Sequence, residues 1–371
     1  MSCDYCYAGE KRSIHMRQEI AEKAVEFVLR EAQIKQIESL NIMFFGGEPL
    51  LCMDLLCTIC QLFETKSSIS SVSYSLSTNG ILLNPANIEK LSKHRVYVSL
   101  SLDGAPDVQD QQRPFSDGRG SSEVLTQNIP RLLEWNPCAD SRFVVTPATA
   151  GGVSNSVFWI ASQGFKYITM ALDYSAHWNM ADLAVLKNQL KIIGKWYEQK
   201  LIDNKPIYLN CFDERISSRT KPPLGCFERC SVGIGQYSIA PSGRIYPCVQ
   251  FVGDDSAHDY VIGDIHNGFD ERKRSRIFEL GEQEKPECSG CQLAGRCSSW
   301  CACSNWSSSG QIDRASPIVC EFERIIMPIA DKIGNKLWKK RSRPFIHRFY
   351  NPAFPVLDFA EQLIVEEVPH D

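Results

Sequence analysis

Sixteen of the 371 residues are cysteines, and ten of these lie between Cys211 and Cys320. Their spacing points to chemistry. Cys230 and Cys248 flank a Pro241-Ser242-Gly243 turn; further on, Cys288 and Cys291 form a CxxC pair, Cys297 and Cys301 follow closely, and Cys320 ends the series. Soft thiolates at such spacings converge on iron without straining the chain, and four of them hold an iron–sulfur cluster. Structural zinc and disulfides are the competing readings. A chain of this length needs no disulfide staples to bury a core. Its N-terminus shows no hydrophobic segment of a secretory signal, so metal ligation comes first. A further CxxC, Cys3 and Cys6, opens the chain, and Gly46-Gly47-Glu48 ends an apolar run.

Those groups need a scaffold. Apolar residues recur at helical spacing over 18–32, 51–63, 84–91, 124–133, 153–161 and 181–200, and short apolar strands are expected at 41–45, 72–76, 97–102, 142–145 and 167–172. Strands alternating with helices imply βα units and a parallel sheet. The number of units suits a partial βα-barrel rather than a full one. From about Leu201, periodicity gives way to Gly, Pro, Ser and Cys, which marks a second domain held partly by metal. There the turn at Gly243 predicts a β-hairpin that brings Cys230 and Cys248 together. One more helix is expected over 322–339, followed by a basic run, Lys339 to Arg343.

These residues carry a resemblance. The seven-cysteine series resembles the SPASM domain, the auxiliary-cluster domain of radical S-adenosylmethionine (SAM) enzymes, with Cys226 as the upstream eighth ligand. The resemblance implies one 4Fe–4S cluster on Cys226, Cys230, Cys248 and Cys301 and another on Cys288, Cys291, Cys297 and Cys320, leaving Cys303 spare. In the first half, Cys3-Asp4-Tyr5-Cys6-Tyr7 resembles the end of the radical SAM CxxxCxxC motif. Phe44 to Pro49 resembles the GGE motif, which implies that Gly46, Gly47 and Glu48 hold the SAM amino group. Ser101 to Gly104 and Asp110 to Arg113 resemble the next signature, which implies that Ser101 and Arg113 face the SAM carboxylate. The implied fold is α/β: a partial (β/α)6-type radical SAM barrel over 1–205 lacking its first strand, a cysteine-rich SPASM domain with a β-hairpin over 206–330, and a C-terminal helix and tail over 331–371.

The motif's first cysteine would stand four positions before Cys3 and so precede Met1. Three thiolates leave the fourth iron open for SAM, whereas two should not hold a stable SAM-binding cluster. A misplaced start or a truncated chain is the expected explanation, and a degenerate inactive member is the rival. Cys52, Cys57 and Cys60 fall on an expected helix and read as buried small hydrophobes. With its clusters intact, the implied enzyme splits SAM to a 5′-deoxyadenosyl radical that takes hydrogen from a peptide or protein, inside an apolar, closed barrel. An electron donor such as flavodoxin or ferredoxin is implied. Val249 stands after Tyr246-Pro247-Cys248, where sulfatase maturases typically carry Asp. The preferred reading is therefore a ribosomal-peptide maturase forming a thioether or other crosslink; formylglycine formation, or an iron–sulfur scaffold without radical chemistry, are the alternatives.

The rest of the sequence narrows the class. A formal net charge of −4 argues against a phosphate-backbone binder. No apolar run approaches a membrane span, and the expected location is cytoplasmic. His15, His94, His258, His266 and His347 are scattered and read as packed or solvated, and Asp103 and Asp110 as site neighbours or loop caps.

Overall fold

The computed structural model describes residues 1–6, 14–205, 207–220, 230–256, 259–351 and 353. Six parallel strands follow one another in chain order: β1 (Ser39–Phe44), β2 (Ser71–Thr78), β3 (Tyr97–Ser101), β4 (Asp140–Val145), β5 (Tyr167–Leu172) and β6 (Tyr208–Leu209). The connecting helices are α1 (Gln18–Ile34), α2 (Met53–Lys66), α3 (Pro85–Lys93), α4 (Pro106–Gln112), α5 (Ser122–Trp135), α6 (Val153–Ser162) and α7 (Met180–Ile202), and α8 (Asn210–Thr220) follows β6. All five expected strands are present. The sixth is two residues long, too short for any sequence period to register, and it carries the parallel sheet past residue 205. β1 and β6 do not pair with each other, so the sheet is open.

Strand alternation sorts the side chains onto two faces. Tyr74 and Leu76 of β2, Val98 and Leu100 of β3, Phe143 and Val145 of β4, and Ile168, Met170 and Leu172 of β5 are buried in the main core with residues of α2, α5, α6 and α7. The opposite face presents Asn41, Ser73, Ser75, Ser77, Ser99, Ser101, Asp140, Arg142 and Thr169, together with Met43, Tyr97, Val144, Tyr167 and Ala171. The expected apolar, closed interior is thus corrected. The sheet is open and the centre of this face is polar, because β2 and β3 place serine at successive alternate positions.

The remaining strands form a small antiparallel sheet in the order β10-β9-β8-β7: β7 (Ser238–Ile239), β8 (Arg244–Tyr246), β9 (Gly263–Asp264) and β10 (Gly268–Phe269). The expected hairpin is β7–β8. Its turn needs the positive φ of +88° at Gly243, a conformation that favours glycine. α9 (Glu271–Glu282), α10 (Ala302–Ser309), α11 (Pro317–Lys339) and α12 (Arg343–Tyr350) complete the chain. Two cores result. Ile318, Phe322, Ile326, Ile333 and Leu337 of α11, with Phe345 of α12, join the main core. Ile20, Ala24 and Phe27 of α1 join the small-sheet core instead, where Phe27 meets Tyr237 and Phe269 edge-on at 6.2 and 5.3 Å.

A buried ion pair docks the cysteine-bearing segment. Arg215 of α8 grips Glu323 of α11 through both carboxylate oxygens, at 2.7 and 3.1 Å, and the same carboxylate accepts from the Ser298 hydroxyl at 3.0 Å. Arg296 grips Asp331 in the same two-pronged way, at 2.7 and 3.0 Å. Removing one partner leaves a buried charge uncompensated. Glu323→Ala is expected to lower folding stability by about 3–5 kcal/mol in denaturant unfolding, while Arg215→Met combined with Glu323→Leu recovers most of the loss.

Candidate functional site

The C-terminal ends of β1, β2 and β3 carry the first cluster of functional groups. β1 stops at Phe44, and Gly46 takes φ +153°, which turns the chain across the strand end. A Cβ placed on Gly46 or on Gly47 would meet nothing within 4 Å, so both glycines border open space. Glu48 is held from three directions: the Thr78 hydroxyl donates at 2.7 Å, the Asn79 backbone N–H at 2.8 Å and the Leu50 N–H at 3.1 Å. Burial raises its pKa above the usual carboxylate range, against the lowering effect of those hydrogen bonds. A buried carboxylate in that condition favours a cationic partner.

Asp103, just past β3, is almost fully buried. It accepts from Arg113 Nε at 2.8 Å, from Arg113 Nη2 at 3.3 Å and from the Val144 N–H at 3.1 Å, and the Tyr5 hydroxyl also donates to it. The Arg113 guanidinium lies 5.2 Å from the centre of the Tyr5 ring. Burial lowers the Arg113 pKa, but Asp103 and Tyr5 more than offset it and hold the charge firmly. Arg113 therefore already has a carboxylate partner within the chain, which its sequence signature does not disclose. Next to it, Gln112 donates to the Val144 carbonyl at 3.1 Å, while its buried Oε1 has no partner among the described residues. Asp110 accepts from the backbone and hydroxyl of Ser122 at 2.7 and 2.8 Å and so caps the start of α5.

Cys3 and Cys6 are half-buried on the segment that Tyr5 anchors, and the Ser2 N–H donates to the Pro114 carbonyl at 2.7 Å. In the second half the structure brings the expected thiols into two groups. Cys230, Cys248 and Cys301 line the small-sheet core around Cys303. Burial, then Cys301 and Cys248, push the Cys230 thiol up to about 12. Cys303 lies in hydrogen-bonding contact with both Cys248 and Cys301, and its hydrogen bond, opposed by burial, draws Cys301 down to about 6. The resemblance leaves Cys303 spare; in the structure it opens α10, two residues beyond Cys301, and faces inward. Cys288, Cys291 and Cys297 neighbour Cys320 in the first turn of α11, and burial followed by Cys288 and Cys297 pushes the Cys320 thiol up to about 11. Ser299 accepts from Cys297 at 3.3 Å and from Cys288 at 3.6 Å. Cys226 lies outside the described residues. Among the described residues, no three Cys, His, Asp or Glu side chains stand close enough to grip a single metal ion as they are. The soft-donor sets match iron–sulfur chemistry, and the thiols would have to close in on a cluster. Cys57 and Cys60 sit on α2, with Cys60 fully buried, while Cys52 precedes α2 and meets His15 Nδ1 at 3.1 Å.

Residues 1–136 match the family model described as the Radical SAM superfamily. The chain thus carries a radical SAM domain. It is 23% identical to the radical SAM cyclopropyl synthase TigE of Paramaledivibacter caminithermalis, over 88% of this chain and 70% of that one. It is 24% identical to the cysteine-type anaerobic sulfatase-maturating enzyme of Clostridium perfringens, over 81% of this chain and 85% of that one. An uncharacterised protein of Methanocaldococcus jannaschii is 29% identical over 46% of this chain, which spans 58% of that protein's length. The fold matches anSMEcpe bound to AdoMet and the Cp18Cys peptide with a TM-score of 0.75, at 20% identity, covering 90% of this chain and 95% of that one. Streptococcus suis SuiB bound to its precursor peptide SuiA gives a TM-score of 0.55 at 17% identity, covering 86% and 72%. The α/β radical SAM fold expected from the sequence is therefore present, and the relatives include maturases.

Tyr5 tests how the N-terminal thiols are held. Tyr5→Phe removes one donor to Asp103 and keeps the ring beside Arg113. Unfolding in denaturant is expected to show a loss of about 0.5–1.5 kcal/mol. Asp103→Ala leaves the buried Arg113 charge unpaired and should cost about 3–5 kcal/mol.

Proposed function

We propose that this protein is a radical SAM enzyme that modifies a peptide or protein, with a SPASM-type domain carrying two auxiliary 4Fe–4S clusters. The observation that carries this reading is the strand-end turn. Two glycines border open space beside a buried carboxylate fixed by three donors, and the thiols Cys3 and Cys6 are tethered through Tyr5 to the same strand ends. The chemistry that a reduced 4Fe–4S cluster and bound SAM supply is a 5′-deoxyadenosyl radical able to take hydrogen from an unactivated C–H bond.

The chain's own residues do the positioning. The bare backbone of Gly46 and Gly47 admits the amino-acid end of SAM, and Glu48 accepts from its ammonium in a charge-assisted hydrogen bond. Ser101 and the remaining Arg113 nitrogen address its carboxylate, and Gln112 Oε1 is a buried acceptor for another donor group. Cys3 and Cys6 supply two thiolates of the SAM-binding cluster. Cys230, Cys248 and Cys301, with Cys226, hold one auxiliary cluster; Cys288, Cys291, Cys297 and Cys320 hold the other.

The favoured product is a thioether or related crosslink in a ribosomally made peptide. Val249 follows Cys248 and supplies no carboxylate base, and an auxiliary cluster held by the neighbouring cysteines would supply metal coordination, which lowers a thiol pKa without one. Formylglycine formation stays as the second reading because sulfatase maturases are among the relatives. A flavodoxin- or ferredoxin-like protein would supply the electron.

Three experiments test this. Anaerobically purified protein should carry about eight irons with matching sulfide in its auxiliary clusters; zinc without sulfide overturns that assignment. SAM cleavage is measured in this chain and in one extended at its N-terminus so that a third thiol stands four positions before Cys3. The extended form should release 5′-deoxyadenosine under strong reductant, and none from either form sinks the radical reading. Glu48→Gln should weaken SAM binding by roughly 1.5–3 kcal/mol, and Gly47→Ala should weaken it while leaving the melting temperature unchanged. Wild-type affinity should fall as pH drops through the raised pKa of Glu48, since only the ionised carboxylate pairs with an ammonium. That fall begins at a higher pH than an ordinary glutamate would give and should be absent in Glu48→Gln.

A further inference from the structure

The polar face of the parallel sheet carries one guanidinium that the reading above does not use. Arg142 sits in the middle of β4, between Ser141 and Phe143, both buried on the core side, while Arg142 itself is exposed. Its side chain therefore stands on the opposite face with Ser99, Ser101 and Asp140. Arg142 is the register partner of Ser101 on the adjacent strand, and its carbonyl accepts from the Leu102 N–H at 2.9 Å. Neighbouring strands lie about 4.8 Å apart, so Arg142 is one strand removed from the residue assigned to the SAM carboxylate.

Its geometry is that of a held but unfinished binding group. Asp140, with its side chain 8% exposed, takes Arg142 Nε at 2.7 Å, which fixes the guanidinium by one edge. Asp140 is also engaged by the Ser99 hydroxyl. Arg142 Nη1 and Nη2 have no partner among the described residues, and the side chain keeps 45% of its surface. Its register partners on this face are Ser101 on β3 and Thr169 on β5, with Asp140 and Val144 beside it on β4 and Tyr167 and Ala171 flanking Thr169. An arginine held by Nε and offering its terminal nitrogens presents the fork that carboxylates fit.

We propose that Arg142 is a specificity residue that binds a carboxylate of the peptide substrate, from an Asp or Glu side chain, on the polar face beside the SAM site. This deepens the peptide-modifying reading and rests on it. A salt link one strand from Ser101 would fix which residue of the peptide reaches the radical, while the serine and asparagine hydroxyl and amide groups serve the peptide backbone.

The test is direct binding to the full chain, apart from turnover. The probes are acetyl-Ala-Glu-Cys-Ala-amide and its Gln counterpart, titrated by NMR against SAM-loaded protein. The wild type should bind the Glu peptide about tenfold more tightly than the Gln peptide. Arg142→Gln should abolish that difference, and Arg142→Lys, which keeps the charge but not the fork, should retain part of it. A wild type that fails to distinguish the two peptides, including one that binds neither, overturns the proposal. So does an Arg142→Gln protein, folded by its melting temperature, that keeps the preference. Loss of SAM affinity in Arg142→Gln with the peptide preference intact would assign the guanidinium to SAM's own carboxylate and also overturn it. Release of 5′-deoxyadenosine reports separately on the radical reading, so the two can fail independently.

Discussion

One buried carboxylate joins the parts of the first half. Asp103 takes donors from the N-terminal segment through Tyr5, from the end of α4 through Arg113, and from β4 through the Val144 N–H. Its own N–H donates to Gln109 Oε1 at 2.9 Å, and Gln109 in turn donates to Ser121 at 3.1 Å. A carboxylate removed from water is costly unless its oxygens are filled, and filling them here requires three distant segments to arrive together. The N-terminal thiols are therefore brought to the strand ends by polar satisfaction rather than by apolar burial. Near these thiols the chain can stay short of hydrophobic residues and still be placed.

The second half uses the same device with different residues. Glu323 of α11 binds Arg215 of α8 and Ser298 of the cysteine segment, while Asp331, two turns further along α11, binds Arg296. Cys297 lies between Arg296 and Ser298, and Cys320 lies one turn before Glu323. Both thiols thus lie beside side chains that anchor α11, one to α8 and the other within the cysteine segment. The long helix belongs to the main core by its apolar stripe and to the cysteine segment by its charges, so the two units share one rigid element.

Much of this was legible in the sequence, for physical reasons that differ by element. The five longer strands announce themselves because each has an apolar face buried under helices, and the hairpin because its turn demands a residue tolerant of positive φ. Gly46, Gly47 and Glu48 stand out as a turn at a strand end. β6 and the short helices α4, α10 and α12 leave too short a period to read, while α8 and α9 are longer but carry mostly polar and charged residues and so show no apolar stripe. The Asp103–Arg113 pair was hidden because its partners are ten residues apart, with Tyr5 almost a hundred away. Cys303 was hidden because spacing shows which thiols are near in the chain, and only the fold shows that the opening turn of α10 points one between Cys248 and Cys301.

The polarity of the sheet's free face bears on how such a fold could manage a reactive intermediate. An apolar chamber protects a radical by excluding partners, but it holds a peptide backbone poorly, because each unpaired amide carries a desolvation cost. A face whose centre is serine-rich, with asparagine at one edge and an arginine tethered by Asp140 among Val144, Tyr167 and Ala171, offers hydrogen-bonding groups as well as apolar contact. Alternating serine on β2 and β3 thus gives this face a row of hydroxyl groups able to pair with the amides of an extended chain.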